Sequence, residues 1–453
     1  MSEAKPSKPP RKLPEHIEVF YDVRDCSFWY RVNGRFMTLK KADLKIELQT
    51  MGLRQDNWVE GMGITEIDWV FRNAIHKRAI DYAGSISGHR AGVFEDGGGR
   101  KYLVTDEPRG VWDDLPKGKV KAPEFFRGFI EELLPDGQWQ HFCFWLSLGL
   151  QALRDADFRP AQCCVFAGPV RCGKSLLQSI ITEILGGRVA NPMKYMMQET
   201  TFNKDLAGAE HWMIEEPKTT TDTRTRIAFG NSIKECFNNR LFAIHGKGKE
   251  ALTLPLFRRG TISVNDEPEL LQVLPPFNGS VDDKISLYHC ARVETAFEAF
   301  KDKTGKLDQP AMWSAIMKEI PQIRAWLLTE FRAAKIPKGF RGDDRAGIDA
   351  YHDPELKKQL MSFAPEVRLL GLMDELFFAD DATEPQAGVK GKAIEIEQKL
   401  RKSEFSSQVE NMFRHGQCGS YLGRLSKSVP DRVLKHVRDG YTTWEIKPPV
   451  KQQ

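Results

Sequence analysis

The sequence predicts an α/β fold: a core with a parallel sheet and a glycine-rich loop, a small α+β unit before it, then a helical segment and a basic, winged-helix-like module. Three observations carry this. Between about 123 and 297, β-rich runs (CCVFAG, HWMIEE, GTISVN) alternate with helical segments, as in a parallel sheet covered by helices. A glycine-framed GPVRCGKS stands between one such run and an amphipathic stretch. Charge is uneven: residues 389–453 hold 13 Lys and Arg against 7 Asp and Glu, a net of +6 in a chain of net +4, leaving −2 for the first 388.

At 453 residues the chain exceeds what one core organises, so two or three domains are expected. A hydrophobic content of 41% and a charged content of 28% describe a globular protein. The longest apolar stretch, FCFWLSLGLQAL (Phe142 to Leu153), is too short to cross a bilayer and reads as a buried helix, so no membrane partner is expected. Residues 1–14, MSEAKPSKPPRKLP, read as a disordered basic tail without the apolar run of a signal peptide or anchor, which implies a cytoplasmic protein. The eight cysteines show no CxxC spacing and no nearby paired His, so they read as structural thiols in a reducing compartment, not a zinc site. Cys172, inside the glycine loop, reads as a small tolerated residue, with oxidation as the alternative.

Residues 15–122 form the α+β unit. IEVFYDVRDCSFWYRVNGRFMTL alternates apolar and polar residues around an Asn33-Gly34 turn, the pattern of a β-hairpin. A helix from about Lys41 to Met51 follows, and GVFEDGGGRKYLVT (Gly92 to Thr105) reads as a second hairpin. No motif here carries assignable chemistry; acidic pairs such as Asp22 and Asp25 do not make a two-metal primase site. After the core (123–300) comes a helical region (301–378), broken by KIPKGFRGDD, and a Pro/Gly/Ala linker (379–388). Residues 389–453 contain helical AIEIEQKLRKS, then GSYLGRLSKSVP, then a hairpin with an Asp439-Gly440 turn. That order outlines a winged-helix module whose helix carrying Arg424 and Lys427 would face a DNA groove; a dimerisation or lid module with a solvated basic face fits the same residues.

GPVRCGKS satisfies G-x-x-x-x-G-K-[ST], and its context is strand, loop, helix. In LLQSIITEIL, residues Leu176, Leu177, Ile180, Ile181, Ile184 and Leu185 share one helical face that stops at Gly186-Gly187. Backbone N–H groups of such a loop and the helix N-terminus hold phosphates, which assigns Gly168, Pro169, Arg171, Gly173, Lys174, Ser175 and Leu176 to nucleotide binding. Lys174 would meet the β- and γ-phosphates and Ser175 a magnesium ion. About 40 residues on, an apolar strand ends in Glu215-Glu216, at the carboxyl edge of the sheet beside the phosphates. Glu215 is assigned to the metal and Glu216 to the general base, and the reverse order satisfies the same pattern. A third apolar strand ends in Asn265, whose amide suits orienting the water or sensing the γ-phosphate; Asn-Asp-Glu-Pro is also turn chemistry.

Together, GPVRCGKS, HWMIEE and TISVND resemble motifs A, B and C of the superfamily 3 helicases, a compact branch of the AAA+ ATPases. Nearest are the helicase parts of phage, plasmid and poxvirus-type primase-helicases; TTFNKDLAGAEHWMIEEP, GKGKEALTL and NDEPE…LPP…DKISL also resemble mobile-element members. The resemblance is strong over about 125–295 and weaker on either side. It implies a homo-oligomeric ring, commonly a hexamer, with ATP between neighbours, single-stranded or forked DNA in the channel and 3′ to 5′ polarity. It also places Asn265 at the sensor position and His245, Lys247 and Lys249 in a basic channel loop, where lysines between glycines can follow phosphates. The arginine finger that the family supplies across the interface has no clear match: Lys284 and Arg292 are candidates, with Arg258 or Arg259 as alternatives.

The expected function is thus an ATP- and magnesium-dependent DNA helicase or translocase in replication of a phage, plasmid or other mobile element, with a separate primase as a possible partner. The rival is an origin-binding initiator whose ATPase switches assembly on DNA without unwinding. A small-molecule kinase leaves the GKGK loop and the flanking domains without a role.

Overall fold

The computed structural model describes residues 17–59, 61–116, 118, 120–215, 223–247, 251–277, 281–379, 388–438 and 440–449. The expected tail at 1–14, most of the linker, Glu216, Lys249 and Asp439 lie outside them. The chain opens with β1 (Val19–Asp22), β2 (Ser27–Val32), β3 (Arg35–Leu39), α1 (Lys41–Thr50), α2 (Glu66–Lys77) and β4 (Ala79–Ile80). The sheet order is β3-β2-β1-β4, and β2 turns into β3 at Asn33-Gly34, both at positive φ. Period-two alternation places Phe28 and Tyr30 in the core under α2, while Trp29 packs on the opposite face with Phe20. The sequence reading passed over α2, which Thr65 caps by accepting from Asp68 N.

A second small sheet, β5-β7-β6, is built from β5 (Tyr82–Gly84), β6 (Gly92–Glu95) and β7 (Lys101–Val104). Its β6–β7 pair is the expected second hairpin. Tyr82, Tyr102 and Val104 sit in the core beneath the large sheet, so this segment is welded to the large-sheet body.

That body comprises α3 (Glu124–Leu133), α4 (Gln138–Arg154), β8 (Cys163–Ala167), α5 (Lys174–Ile184), β9 (Val189–Ala190), α6 (Met193–Met196), β10 (His211–Glu215) and α7 (Thr223–Asn238). It continues with β11 (Leu241–Ile244), β12 (Leu252–Pro255), β13 (Arg259–Val264), α8 (Pro268–Leu271), β14 (Ile285–His289) and α9 (Thr295–Glu298). Five parallel strands run in the order β14-β8-β13-β10-β9. The strand before the glycine loop therefore lies between β13 and β14, with their carboxyl ends on either side of that loop. β8 is buried on both faces: Cys164 and Phe166 meet the core formed with α3, α4 and α5, and Cys163, Val165 and Ala167 meet the opposite core. The apolar Phe142 to Leu153 run is buried within α4.

Three helices follow, α10 (Gln309–Glu330), α11 (Pro354–Ser362) and α12 (Pro365–Phe378). Ile316, Ile320, Ile323 and Leu327 of α10 face the core shared with α4 and α5. The last module is β15 (Val389–Gly391), α13 (Ala393–Lys402), α14 (Ser406–Met412), α15 (Cys418–Ser428), β16 (Val433–Arg438) and β17 (Tyr441–Ile446), its sheet ordered β15-β17-β16. Leu369, Leu372, Met373 and Phe377 of α12 pack into this module's core. All eight cysteines are free thiols, seven of them buried. Among the described residues no helix is long and apolar enough to cross a membrane.

Candidate functional site

The glycine loop is shaped by what surrounds it. Gly168 N donates to Val264 O (3.3 Å), and a Cβ at Gly168 would stand 2.5 Å from the carbonyl oxygen of Cys290, the residue after β14, which excludes any side chain there. Gly173 precedes α5 at φ +120° and would meet the Phe129 ring at 3.1 Å. Arg171, at φ 62°, holds a left-handed conformation that a glycine adopts more easily, and its side chain is exposed. The loop feeds into α5, whose first N–H groups have no partner within the helix and face the loop.

Lys174 is the centre of this arrangement. Its Nζ donates to Gly168 O (2.6 Å), Pro169 O (2.8 Å) and Asn265 Oδ1 (3.1 Å), so the first and third sequence motifs touch through their polar tips. Cys172 Sγ lies 3.8 Å from the same Nζ. A hydrogen bond from Cys290 and the Lys174 charge hold the Cys172 thiol down at about 6, against burial. Ser175 and Glu215 are exposed, and Leu176 packs beside the core with α3 and α4. In register, Glu215 pairs with Ser263 and Ser263 with Phe166, which puts Glu215 two strands, about 10 Å, from β8.

The helix after the loop is bolted to the sheet by polar groups that sequence reasoning missed. Gln178 Nε2 donates to Ile214 O (3.2 Å) and Thr261 Oγ1 (2.8 Å). His211 bridges Thr182 Oγ1 (2.7 Å) and Thr261 Oγ1 (2.8 Å), and full burial pushes its pKa down to about 3, so it is neutral. On the other side, Gln138 clamps both backbone groups of His289, whose Nε2 lies 3.3 Å from Asp266 Oδ2 and Nδ1 3.8 Å from Asp353 Oδ1. Locally, Asp353 reads only as the N-cap of α11, and nothing marks Gln138; the fold alone brings both to His289.

The cationic candidates divide. Arg259 opens β13 and Arg258 precedes it, about 20 Å of strand away from Asn265. Both are buried over aromatic rings, Arg258 over Phe242 (4.7 Å) and Arg259 over Phe257 (4.6 Å), and burial lowers their pKa values to about 10 and 9. They are packing residues. Lys284 is nearly buried and paired with Asp283, which also takes Arg345 Nη2 at 2.6 Å, whereas Arg292 is exposed just past the carboxyl end of β14.

The basic segment is the connection between β11 and β12, an antiparallel pair outside the large sheet. Asn203, 1% exposed, clamps its base: Oδ1 accepts from His245 N (2.6 Å), Nδ2 donates to Ala243 O (2.9 Å), and the Asn203 N–H donates to His245 O (3.1 Å). The His245 ring leans on Phe202, and Lys247 is exposed beyond it. In the last module, Arg424 Nη1 is 3.5 Å from Glu366 Oε2 of α12 and its guanidinium lies over Tyr421; Lys427 is exposed. Arg424 thus faces the protein's own α12 in part.

No protein-family model and no curated protein matches the chain. Solved structures do. The apo structure of the NrS-1 C-terminal region (305–718) superposes with a TM-score of 0.54 at 15% identity, covering 96% of this chain and 97% of that one. The A form of the same region gives 0.53 at 14% identity with the same coverage. A structure described as SCCmec type IV Cch, active helicase, gives 0.43 at 11% identity over 95% of this chain and 93% of that one. Over nearly its whole length, flanks included, the chain shares the fold of the NrS-1 C-terminal region.

Proposed function

We propose that the chain is an ATP-dependent DNA helicase or translocase of the superfamily 3 type, serving replication of a mobile element and working as a homo-oligomeric, hexameric ring. The observation that supports it most is the contact of Lys174 Nζ with Asn265 Oδ1 at the carboxyl edge of the parallel sheet. A binding loop alone needs no such partner; a hydrolase needs a polar group where the γ-phosphate and its water would be.

The residues fit a nucleoside triphosphate with magnesium. A Cβ at Gly168 or Gly173 would run into Cys290 or Phe129, so only glycine lets the loop take this turn into α5, and Ser175 and Glu215 present hard oxygen donors suited to magnesium. Magnesium, when bound, neutralises charge on the phosphate oxygens. Lys174 exchanges the Gly168 and Pro169 carbonyls for β- and γ-phosphate oxygens, a swap of hydrogen-bond acceptors that favours the doubly charged partner. Asn265 orients the attacking water, and Glu216 takes its proton. Arg292 or Lys284 reaches the neighbouring subunit's nucleotide, and Arg292, exposed at the sheet edge, is the better placed. Clamped at its base by Asn203, the hairpin carrying His245, Lys247 and Lys249 follows the DNA backbone as the site cycles.

ATPase assays test this directly. Lys174→Ala should not bind ATP, and Glu216→Gln should bind it without turnover; wild-type turnover in both ends the proposal. Strand displacement on a forked duplex separates the motor from an initiator switch, which would assemble on DNA with ATP and displace nothing.

A further inference from the structure

We propose that His289 is a positioning residue for nucleotide binding: it holds the Asp266 carboxylate away from the glycine loop, so that Lys174 is left to the phosphates. This rests on the reading of that loop as an ATP site. Asp266 stands next to Asn265, whose Oδ1 takes Lys174 Nζ at 3.1 Å, and lies two residues past the end of β13. β13 and β14 flank β8 and are not neighbours in the sheet. The side chains of His289 and Asp266, meeting at 3.3 Å between Nε2 and Oδ2, therefore close a gap of about 10 Å over the end of β8, where the loop begins. Among the described residues this ring is the Asp266 carboxylate's one partner.

The ring is fixed from behind. Gln138 Oε1 accepts from His289 N (2.8 Å) and Gln138 Nε2 donates to His289 O (3.0 Å). Asp353 Oδ1 lies 3.8 Å from His289 Nδ1, and Asp353 is itself held: its N–H donates to Leu287 O (3.0 Å), and its Oδ1 accepts from Glu355 N and Leu356 N at the start of α11. Carboxylates facing opposite ring nitrogens leave the imidazole one orientation, with Nε2 towards Asp266. Without that donor the Asp266 carboxylate would stand unpaired beside the loop. Its charge already reaches Cys290, whose thiol is pushed up by burial above all and by Asp266 among the lesser causes. An unpaired anion there would compete with the phosphates for Lys174 and repel the triphosphate itself. A plain structural strap would behave differently, because a carboxylate and an amide at 266 would then make no difference to nucleotide affinity once His289 is gone.

Binding of a fluorescent ATP analogue to the full chain, with turnover against ATP concentration read in parallel, tests the proposal. His289→Ala should raise the analogue's Kd and the KM for ATP about fivefold, the size of a charge effect between partly exposed groups, and keep kcat within about twofold. Asp266→Asn removes the charge that needs holding. It should bind as wild type by itself, and added to His289→Ala it should bring Kd and KM back to within about twofold of wild type. Both side chains are partly exposed, so the variants keep the fold. A wild-type Kd in His289→Ala, a weakened Asp266→Asn, or a double variant as weak as His289→Ala overturns the inference. So does a fall in kcat at unchanged KM, which would put the ring against the reacting atoms. Wild-type chain that binds the analogue but hydrolyses no ATP would sink the motor reading instead, and leaves the Kd comparison to judge His289.

Discussion

Gly168 is the residue where sequence motif and tertiary contact coincide most tightly. A Cβ there meets the Cys290 carbonyl oxygen at 2.5 Å and its Cβ at 2.7 Å, both on a strand end held by its own bond from Cys290 N to Ala167 O. Neither neighbour is a flexible side-chain tip, so Gly168→Ala should push β14 and the loop apart at a cost of about 1–3 kcal/mol, and nucleotide affinity should fall with it. Gly128, in the middle of α3, has nothing within 4 Å of its ideal Cβ. Gly128→Ala should therefore stabilise by roughly 0.5–1 kcal/mol through helix propensity alone. Chemical denaturation of the two variants checks the contrast, and equal effects would mean that the loop relaxes freely. The motif alone announces a glycine at 168 but not why: the excluding atom comes from a residue 122 positions later, which no local pattern shows.

Among elements, the strands bearing the motifs were legible because each is a short apolar run ending in polar chemistry. α2 was passed over although its signals are local: Thr65 and Asp68 form its cap, and Ile67, Val70, Phe71 and Ala74 repeat on one face. β15 was not legible, since three residues carry no period and become a strand only by pairing with β17. α14, seven residues with mainly polar side chains, is specified by Val409 and Met412 entering the module's core. The hairpin of β11 and β12 shows the same dependence, because its base is fixed by Asn203 from another segment. Asn203→Ala removes two side-chain bonds to that base and leaves the His245 N–H without its acceptor. Amides of β11 should then exchange faster with solvent, and DNA-stimulated ATPase should fall while basal turnover is kept. Loss of basal turnover would show instead that Asn203 supports the sheet itself.

At the scale of the whole molecule, motif order was enough to place Lys174, Asn265 and Glu215 on one edge, yet nothing local foretold how the first hundred residues attach. The attachment is polar and long-range. Glu210, fully buried, takes Arg188 through both carboxylate oxygens and accepts from Gly88 N (2.8 Å), while Arg188 Nη1 reaches Asp106 Oδ2 (3.0 Å) and Arg188 Nη2 reaches Ile86 O (3.2 Å). Burial raises the Glu210 pKa and Arg188 opposes that shift, so the carboxylate depends on its guanidinium partner. Glu210→Ala would leave Arg188 mostly buried with Asp106 as its remaining carboxylate, and Gly88 N without an acceptor. Removing one partner of a buried pair costs about 3–5 kcal/mol, and the surviving Asp106 contact favours the lower end. The loss should be local first: amides of 82–105, on the far side of the seam, should lose hydrogen-exchange protection at lower denaturant than β8 and β13 of the large sheet. Glu210→Gln keeps an acceptor for Gly88 and should lose less. If β8 exchanges as early as β7 in Glu210→Ala, the seam is not a boundary between cooperative units, and the N-terminal sheets and the large-sheet body unfold as one.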